Sequence, residues 1–191
     1  MKKILSIVLV LMLAVACGKA EPRLKLKGEL VELPEWVITP DREDGIAAVG
    51  ISQPSRGGML FEIKKAELDA KGNIATKIQS EISRVTKQAL REANVNNIND
   101  VETVFSQVTK EVVKDVPLTG VQRINIYKYK DGTLYVHMIL KDADYSKYLA
   151  NSQKMFEQRL QNANLARENL NKAQEATKSL FDELDKERES E

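Results

Sequence analysis

Cysteine, histidine and tryptophan each occur once in the 191 residues, as Cys17, His137 and Trp36. A single thiol excludes a disulfide framework and a cysteine-built zinc site, and a single imidazole excludes a histidine-based metal cluster. Neither sign of charge dominates: 29 Lys and Arg against 28 Asp and Glu leave a formal net charge of +1. A protein that held nucleic acid through clustered positive charge would not be balanced in this way, so no nucleic-acid partner is expected. No glycine pattern of a dinucleotide fingerprint or a phosphate loop occurs, and no cofactor is expected. What the chain does contain is 42% hydrophobic and 30% charged residues with only 5% aromatics. That is enough for a core together with much solvated helix.

The longest apolar run, Ile4 to Ala16, follows Lys2 and Lys3 and is interrupted only by Ser6. At ~1.5 Å per residue it reaches about 20 Å, short of the ~30 Å hydrocarbon layer. A positive flank, a short apolar stretch and small residues at its end are the parts of a secretory signal peptide. The run closes as Leu13-Ala14-Val15-Ala16-Cys17-Gly18. This resembles a bacterial lipobox, with Ala14 where a larger aliphatic residue is usual. The resemblance implies cleavage before Cys17, diacylation of its thiol and acylation of the new amine. Two or more acyl chains give stable membrane attachment, whereas one is marginal. Removal of residues 1–16 takes away Lys2 and Lys3 and turns the charge of +1 into −1. Gly18 stands where an Asp would mark retention at the inner membrane, so the expected location is the outer membrane, on its periplasmic leaflet.

Residues 17–33 are expected to form the lipidated terminus and a solvated tether of at most ~50 Å at ~3.3 Å per residue. Leu24, Leu26 and Leu30 fall at even spacing, and a short edge strand there is the alternative. The folded part is expected over 34–143, opening at Pro34-Glu35-Trp36-Val37 with the lone Trp packed onto it. Ile46 to Ile51 reads as a short strand of small residues. A long helix follows from about Met59 to Ala93, because Ile63, Ala66, Ala70, Ile74, Ile78, Ile82, Val85 and Ala89 recur at spacings of three and four. Gly72 inside it costs ~1 kcal/mol relative to Ala, so either the backbone packs closely there or the helix bends. Val101, Val104, Phe105, Val108 and Val112 mark a shorter helix before Pro117. Val121 to Tyr129 and Leu134 to Lys141 read as a hairpin around Asp131-Gly132, which supplies the positive φ angles of a tight turn.

From about Asp144 the pattern changes again. Leu149, Phe156, Ala163, Leu170, Thr177 and Leu184 recur every seven residues, with Ala166, Ala173 and Leu180 three beyond their predecessors. Such a register predicts a long amphipathic helix or coiled coil over 144–191. Ser152 and Arg159 also fall on the seam, and many of its members are small, so burial per turn is low. Two courses are open to this segment: projection from the domain with self-association or a helical partner, or folding back along its own domain.

The residues that usually carry chemistry have bland readings here. His137 lies within the second hairpin strand with no identifiable carboxylate orienter, and Ser52, Ser55 and Ser80 lack a nucleophile elbow. Gln53 to Gly58 precedes a helix and could present N–H groups to an anion, but without phosphate-loop spacing an ordinary strand-to-helix turn is favoured. No catalytic residue and no metal ligand is assigned, and the chain is not expected to be an enzyme.

Several of these features, taken in order, resemble the lipoprotein-20 family of bacterial outer-membrane lipoproteins. The matching residues are Pro34-Glu35-Trp36-Val37, the strand ending Ala48-Val49-Gly50-Ile51, the segment Ala66 to Ser80 in place of the family's alanine-rich helix, and the Asp-Gly hairpin with its apolar second strand Leu134 to Leu140. Gly72 replaces the family's usual Ala, and the tail after Lys141 is not part of the common pattern. The resemblance implies an α+β fold with a β-α-β-β core, a small antiparallel sheet wrapped on a long helix as in dodecin. It also implies a non-enzymatic envelope protein. The expected function is thus a structural or assembly component lipid-anchored through Cys17. A flagellum-associated outer-membrane ring or disk component is the alternative, and a small-ligand-binding module the alternative of another class.

Overall fold

The protein is described by a computed structural model covering residues 32–95 and 98–190. Cys17, the signal segment and the strand weighed for Leu24, Leu26 and Leu30 lie outside the described residues. The fold is α+β. In chain order the elements are a one-turn helix α1 (Glu35–Ile38), strand β1 (Gly45–Ser52), the long helix α2 (Gly58–Glu92), α3 (Asn99–Lys114), strands β2 (Gln122–Lys128) and β3 (Leu134–Lys141), then α4 (Asp142–Asn162) and α5 (Arg167–Ser190).

The three strands form one antiparallel sheet in the order β1-β3-β2. The central strand β3 is apolar at nearly every position because both of its faces are covered. Leu134, Val136, Met138 and Leu140 point into the main core, while His137 and Ile139 are buried on the opposite face. β1 pairs with β3 from Gly45↔Lys141 to Ser52↔Leu134, which sets Gly50 beside Val136 and directly beneath α2. The small side chains of Ala48, Ala66 and Ala70 let helix and strand approach closely. β2 pairs with β3 from Gln122↔Ile139 to Lys128↔Leu134, with a bulge between Arg123 and Asn125.

The turn joining β2 and β3 differs in detail from the expected geometry. Gly132 alone takes a positive φ, +91°. Asp131 acts through its side chain instead, accepting the Thr133 N–H at 2.7 Å and the Thr133 hydroxyl at 3.0 Å.

α2 is about 50 Å long at ~1.5 Å per residue. The stripe Ala66, Ala70, Ile74, Ile78, Ile82, Val85, Ala89 is fully buried along it, against the sheet at one end and against helices at the other. The helix stops at Asn94, whose left-handed φ of +54° is tolerated by a short polar side chain; the Val95 N–H then bonds back to the Leu90 carbonyl at 3.0 Å. At Gly72 the close backbone packing is not found: a methyl group added there would meet no atom within 4 Å, and α2 is continuous through it. Nothing in the structure explains this glycine.

Of the two courses open to the tail, the chain takes the second and folds back. The seven-residue register does not continue as one helix; it breaks at 163–166, where Asn162 and Asn164 flank the reversal and the Ala163 N–H closes α4 on the Arg159 carbonyl at 2.9 Å. Asparagine side chains compete for backbone groups and so favour such ends, with no proline needed. Either side of the break the seam is real. Leu149, Phe156, Ala173, Thr177, Leu180 and Leu184 are buried, whereas Arg159 and Ala166 on the same register are exposed. Phe156 meets Phe105 of α3 at 5.3 Å and Phe181 of α5 at 5.7 Å between ring centres. The Tyr148 hydroxyl donates to the Val112 carbonyl at 2.8 Å, fixing α4 to the end of α3, and burial pushes this phenol well above its ordinary pKa. The apolar stripe of the tail is therefore occupied by the chain's own core.

Candidate functional site

Cys17, the one residue assigned a modification from sequence, lies outside the described residues, so the folded body has to be read for what its polar and exposed groups do. Three polar arrangements stand out, and two of them take up residues that sequence reasoning weighed for chemistry.

The first surrounds His137. Its ring is stacked on Trp36 with the planes 2° apart and the centres 5.3 Å apart. Nε2 lies 2.7 Å from the Pro40 carbonyl oxygen, which can only accept, so Nε2 carries the proton. Nδ1 then accepts from the Asn125 amide at 3.4 Å. Burial holds the imidazole pKa below its ordinary value, partly offset by the bond to Pro40. Both nitrogens of a neutral ring are thus engaged in fastening the Pro34–Pro40 segment across the outer face of the sheet. The lone Trp and the lone His form one clamp.

The second seals the β1 edge of the sheet. β1 has β3 on one side only, so its outward backbone groups need partners. Asp69, Asn73 and Lys77, one turn apart on α2, supply them. Asp69 accepts the Ile51 N–H at 2.8 Å, the Asn73 amide donates to the Val49 carbonyl at 2.8 Å, and Lys77 donates to the Ala47 carbonyl at 3.0 Å while pairing with Asp41 at 2.6 Å. These residues lie outside the apolar stripe that the periodicity of α2 picks out; the i, i+4, i+8 spacing of one acceptor and two donors was the available signal.

The third occupies the turn before α2. Glu62 is buried and accepts the Ser55 N–H at 2.7 Å, while Lys128 of β2 reaches its other oxygen at 3.3 Å. The bond from Ser55 is the main reason its carboxyl is held below the ordinary range. The turn weighed as an anion site thus has its Ser55 N–H engaged by a carboxylate of the chain itself. Ser52 is buried and bonds the Gln53 carbonyl at 3.2 Å; Ser80 is exposed on α2. The structure brings none of the three serines to His137 in a hydrogen bond.

An open groove of about 820 Å³ runs beside β1 and α2 and is lined by Asp41, Arg42, Lys77, Ser80, Arg84 and Glu187 among others. Its cations are already paired: Arg42 with Asp44 at 2.6 Å, Lys77 with Asp41, and Arg84 with Glu187. Among the described residues no group of three His, Cys, Asp or Glu side chains is placed to hold a metal ion. No described helix is long and apolar enough to cross a membrane.

What stands out on the surface is apolar. Ile51, Met59, Leu60, Phe61, Leu68, Ile124 and Ile126 are the large hydrophobic side chains left exposed among the described residues. Four of them fall within the first eleven residues of α2. Sequence periodicity passed over them because it tracked only the buried stripe, although Met59-Leu60-Phe61 places three large side chains on successive helical positions that cannot share one face. Compared with protein-family models and with curated proteins, the chain matches none.

Proposed function

We propose that the chain is a non-catalytic lipoprotein of the bacterial outer membrane, held on the periplasmic leaflet by acyl chains on Cys17, and that its α+β body is an assembly surface of the cell envelope. The observation that carries this reading is the position of the one thiol in the sequence, immediately after a short apolar run that ends in small residues. The order of motifs from Pro34 to Leu140 that resembles the lipoprotein-20 family supports it.

The body supports a binding role over a chemical one. His137, Glu62, Asp69, Asn73 and Lys77 are each engaged with backbone groups, fastening a segment, a turn or an edge. Since the seam of the C-terminal helices is consumed within the chain, assembly is assigned to the exposed faces instead. Metabolic labelling with a palmitate analogue, followed by membrane fractionation, tests the anchor. The wild-type chain incorporates label and sediments with outer membranes. Cys17→Ser neither incorporates it nor stays bound. Unaltered processing and retention of the Cys17→Ser chain would overturn the reading.

A further inference from the structure

The first turns of α2 are inverted in polarity. Taking 100° per residue, Leu60, Phe61, Lys64, Leu68 and Lys71 share one face, opposite the buried side chains of Glu62, Ala66 and Ala70. That outward face is where a solvated helix carries its polar residues. Here Leu60 is 78% exposed, Leu68 72% and Phe61 55%.

The charges of this segment are divided by sign. Each of its acids is engaged within the fold: Glu62 by Ser55 and Lys128, Glu67 by Arg123 at 2.9 Å, and Asp69 by the Ile51 N–H. Its cations Arg56, Lys64, Lys65 and Lys71 make no ion pair among the described residues. The face therefore presents apolar side chains interleaved with the unpaired Lys64 and Lys71, and the acid at its border, Glu67, is paired with Arg123. Lysines on such a face can lay their methylene stems along an apolar layer and keep the ammonium in the headgroup region.

We infer that this end of α2 is a second membrane contact, which sets Leu60, Phe61 and Leu68 into the surface of an anionic bilayer with Lys64, Lys65 and Lys71 on lipid phosphates. The inference rests on the proposed anchoring at Cys17 and adds to it: the tether of residues 17–33 would keep the body within ~50 Å of the bilayer, raising the effective concentration of lipid at the patch. Charge complementarity selects the occupant, because phosphate headgroups match a face whose unpaired charges are cationic.

The test uses the full chain, purified from membranes and reconstituted in vesicles of phosphatidylethanolamine and phosphatidylglycerol doped with a lipid that carries a photoreactive group on its acyl chain. After irradiation, lipid adducts are mapped by peptide mass spectrometry. Adducts are expected on residues 59–68 and absent from the exposed α3 residues Thr103, Ser106 and Gln107. Reversing two charges in Lys64→Glu/Lys65→Glu should reduce adducts at 59–68 about thirtyfold or more, given the energy of each basic residue at an anionic surface. Leu60→Ser, at a largely exposed position, should reduce them with no change in the circular dichroism spectrum. Adducts confined to residues 1–33, with the chain still on the vesicles, would overturn this contact and leave the anchor standing. Failure of the chain to sediment with vesicles would overturn both. Equal labelling of the charge-reversed variant would overturn the electrostatic basis, and chain-to-chain crosslinks at 60–61 in place of lipid adducts would assign the face to a second copy.

Discussion

The same substitution, glycine to alanine, should have opposite effects at two positions of this protein. At Gly72 the added methyl meets nothing within 4 Å, and the φ there is helical. Alanine is favoured over glycine in a helix interior by ~1 kcal/mol, so Gly72→Ala should stabilise the fold by about that amount. For a folded body of this size the corresponding rise in Tm is about 2–4 °C. At Gly50 the methyl would lie 2.9 Å from the Ala70 Cα, and closer still to the Ala66 carbonyl oxygen and the Ala70 amide nitrogen. These are backbone atoms of α2, which no rotamer change can move aside. Relief requires β1 to lift from the helix, which also lengthens the bonds from Asp69, Asn73 and Lys77 that seal the strand. Overpacking alone costs 1–3 kcal/mol, and the strained edge bonds add to it, so Gly50→Ala should lose about 3 kcal/mol or more. Urea denaturation followed by circular dichroism, with both variants measured beside the parent, reads the difference directly. A neutral Gly50→Ala would refute the register that lays β1 under Ala66 and Ala70. A destabilising Gly72→Ala would show that this bare helical surface is covered in the protein as it works.

Removal of α5 by ending the chain at Asn162 should abolish cooperative unfolding rather than trim an appendage. The buried side chains lost, Ala173, Ala176, Leu180, Phe181 and Leu184, include three worth ~2–3 kcal/mol each, and the core they leave is uncovered; a cooperative thermal transition in the truncated chain would refute this. Asp69→Ala/Asn73→Ala bares the Ile51 N–H and the Val49 carbonyl on the edge of β1, and should cost about 2 kcal/mol together with concentration-dependent self-association in sedimentation velocity. The clamp between Trp36 and His137 should be sensitive to acid. Burial lowers the folded-state pKa of His137, so the unfolded chain binds the proton more readily. Stability is then complete above the ordinary value of about 6.5 and is lost as pH falls through the lower folded value. Emission from the sole Trp should shift to the red over that window in the parent and stay flat in His137→Gln.

Local pattern carried a large part of the fold. The long helix, the shorter helix and the hairpin stand within a residue or two of where periodicity and turn chemistry put them, because each is fixed by interactions short in sequence: an i, i+4 apolar stripe, an Asp-Gly turn, an asparagine stop. β1 also stands within a residue of its expected place, although its partner strand β3 is distant in sequence. The tail shows what local pattern leaves open. A seven-residue repeat states that one face is apolar, and says nothing about whether the facing surface is another chain or the protein's own core. That choice turned on the break at 163–166, marked only by two asparagines, and on the presence of Ile78, Ile82 and Phe105 as a surface to fold against.

The polar arrangements were less legible for a related reason. Each links residues far apart in sequence: His137 with Trp36 and Pro40, Glu62 with Lys128, Asp69 and Asn73 with the outer edge of β1. A carboxylate on a helix is read as solvated until the strand it caps is known to be an edge, and β1 becomes an edge only through the strand order β1-β3-β2. The same order gives the two edges different characters. β1 is closed by three side chains of α2, whereas β2 carries a bulge, Arg123 and Lys128, and exposes Ile124 and Ile126. Bulges and cations on an edge discourage strand addition, so neither edge invites a further strand. The remaining apolar exposure at the start of α2 is therefore better matched to a partner that needs no strand pairing, and a bilayer surface is such a partner.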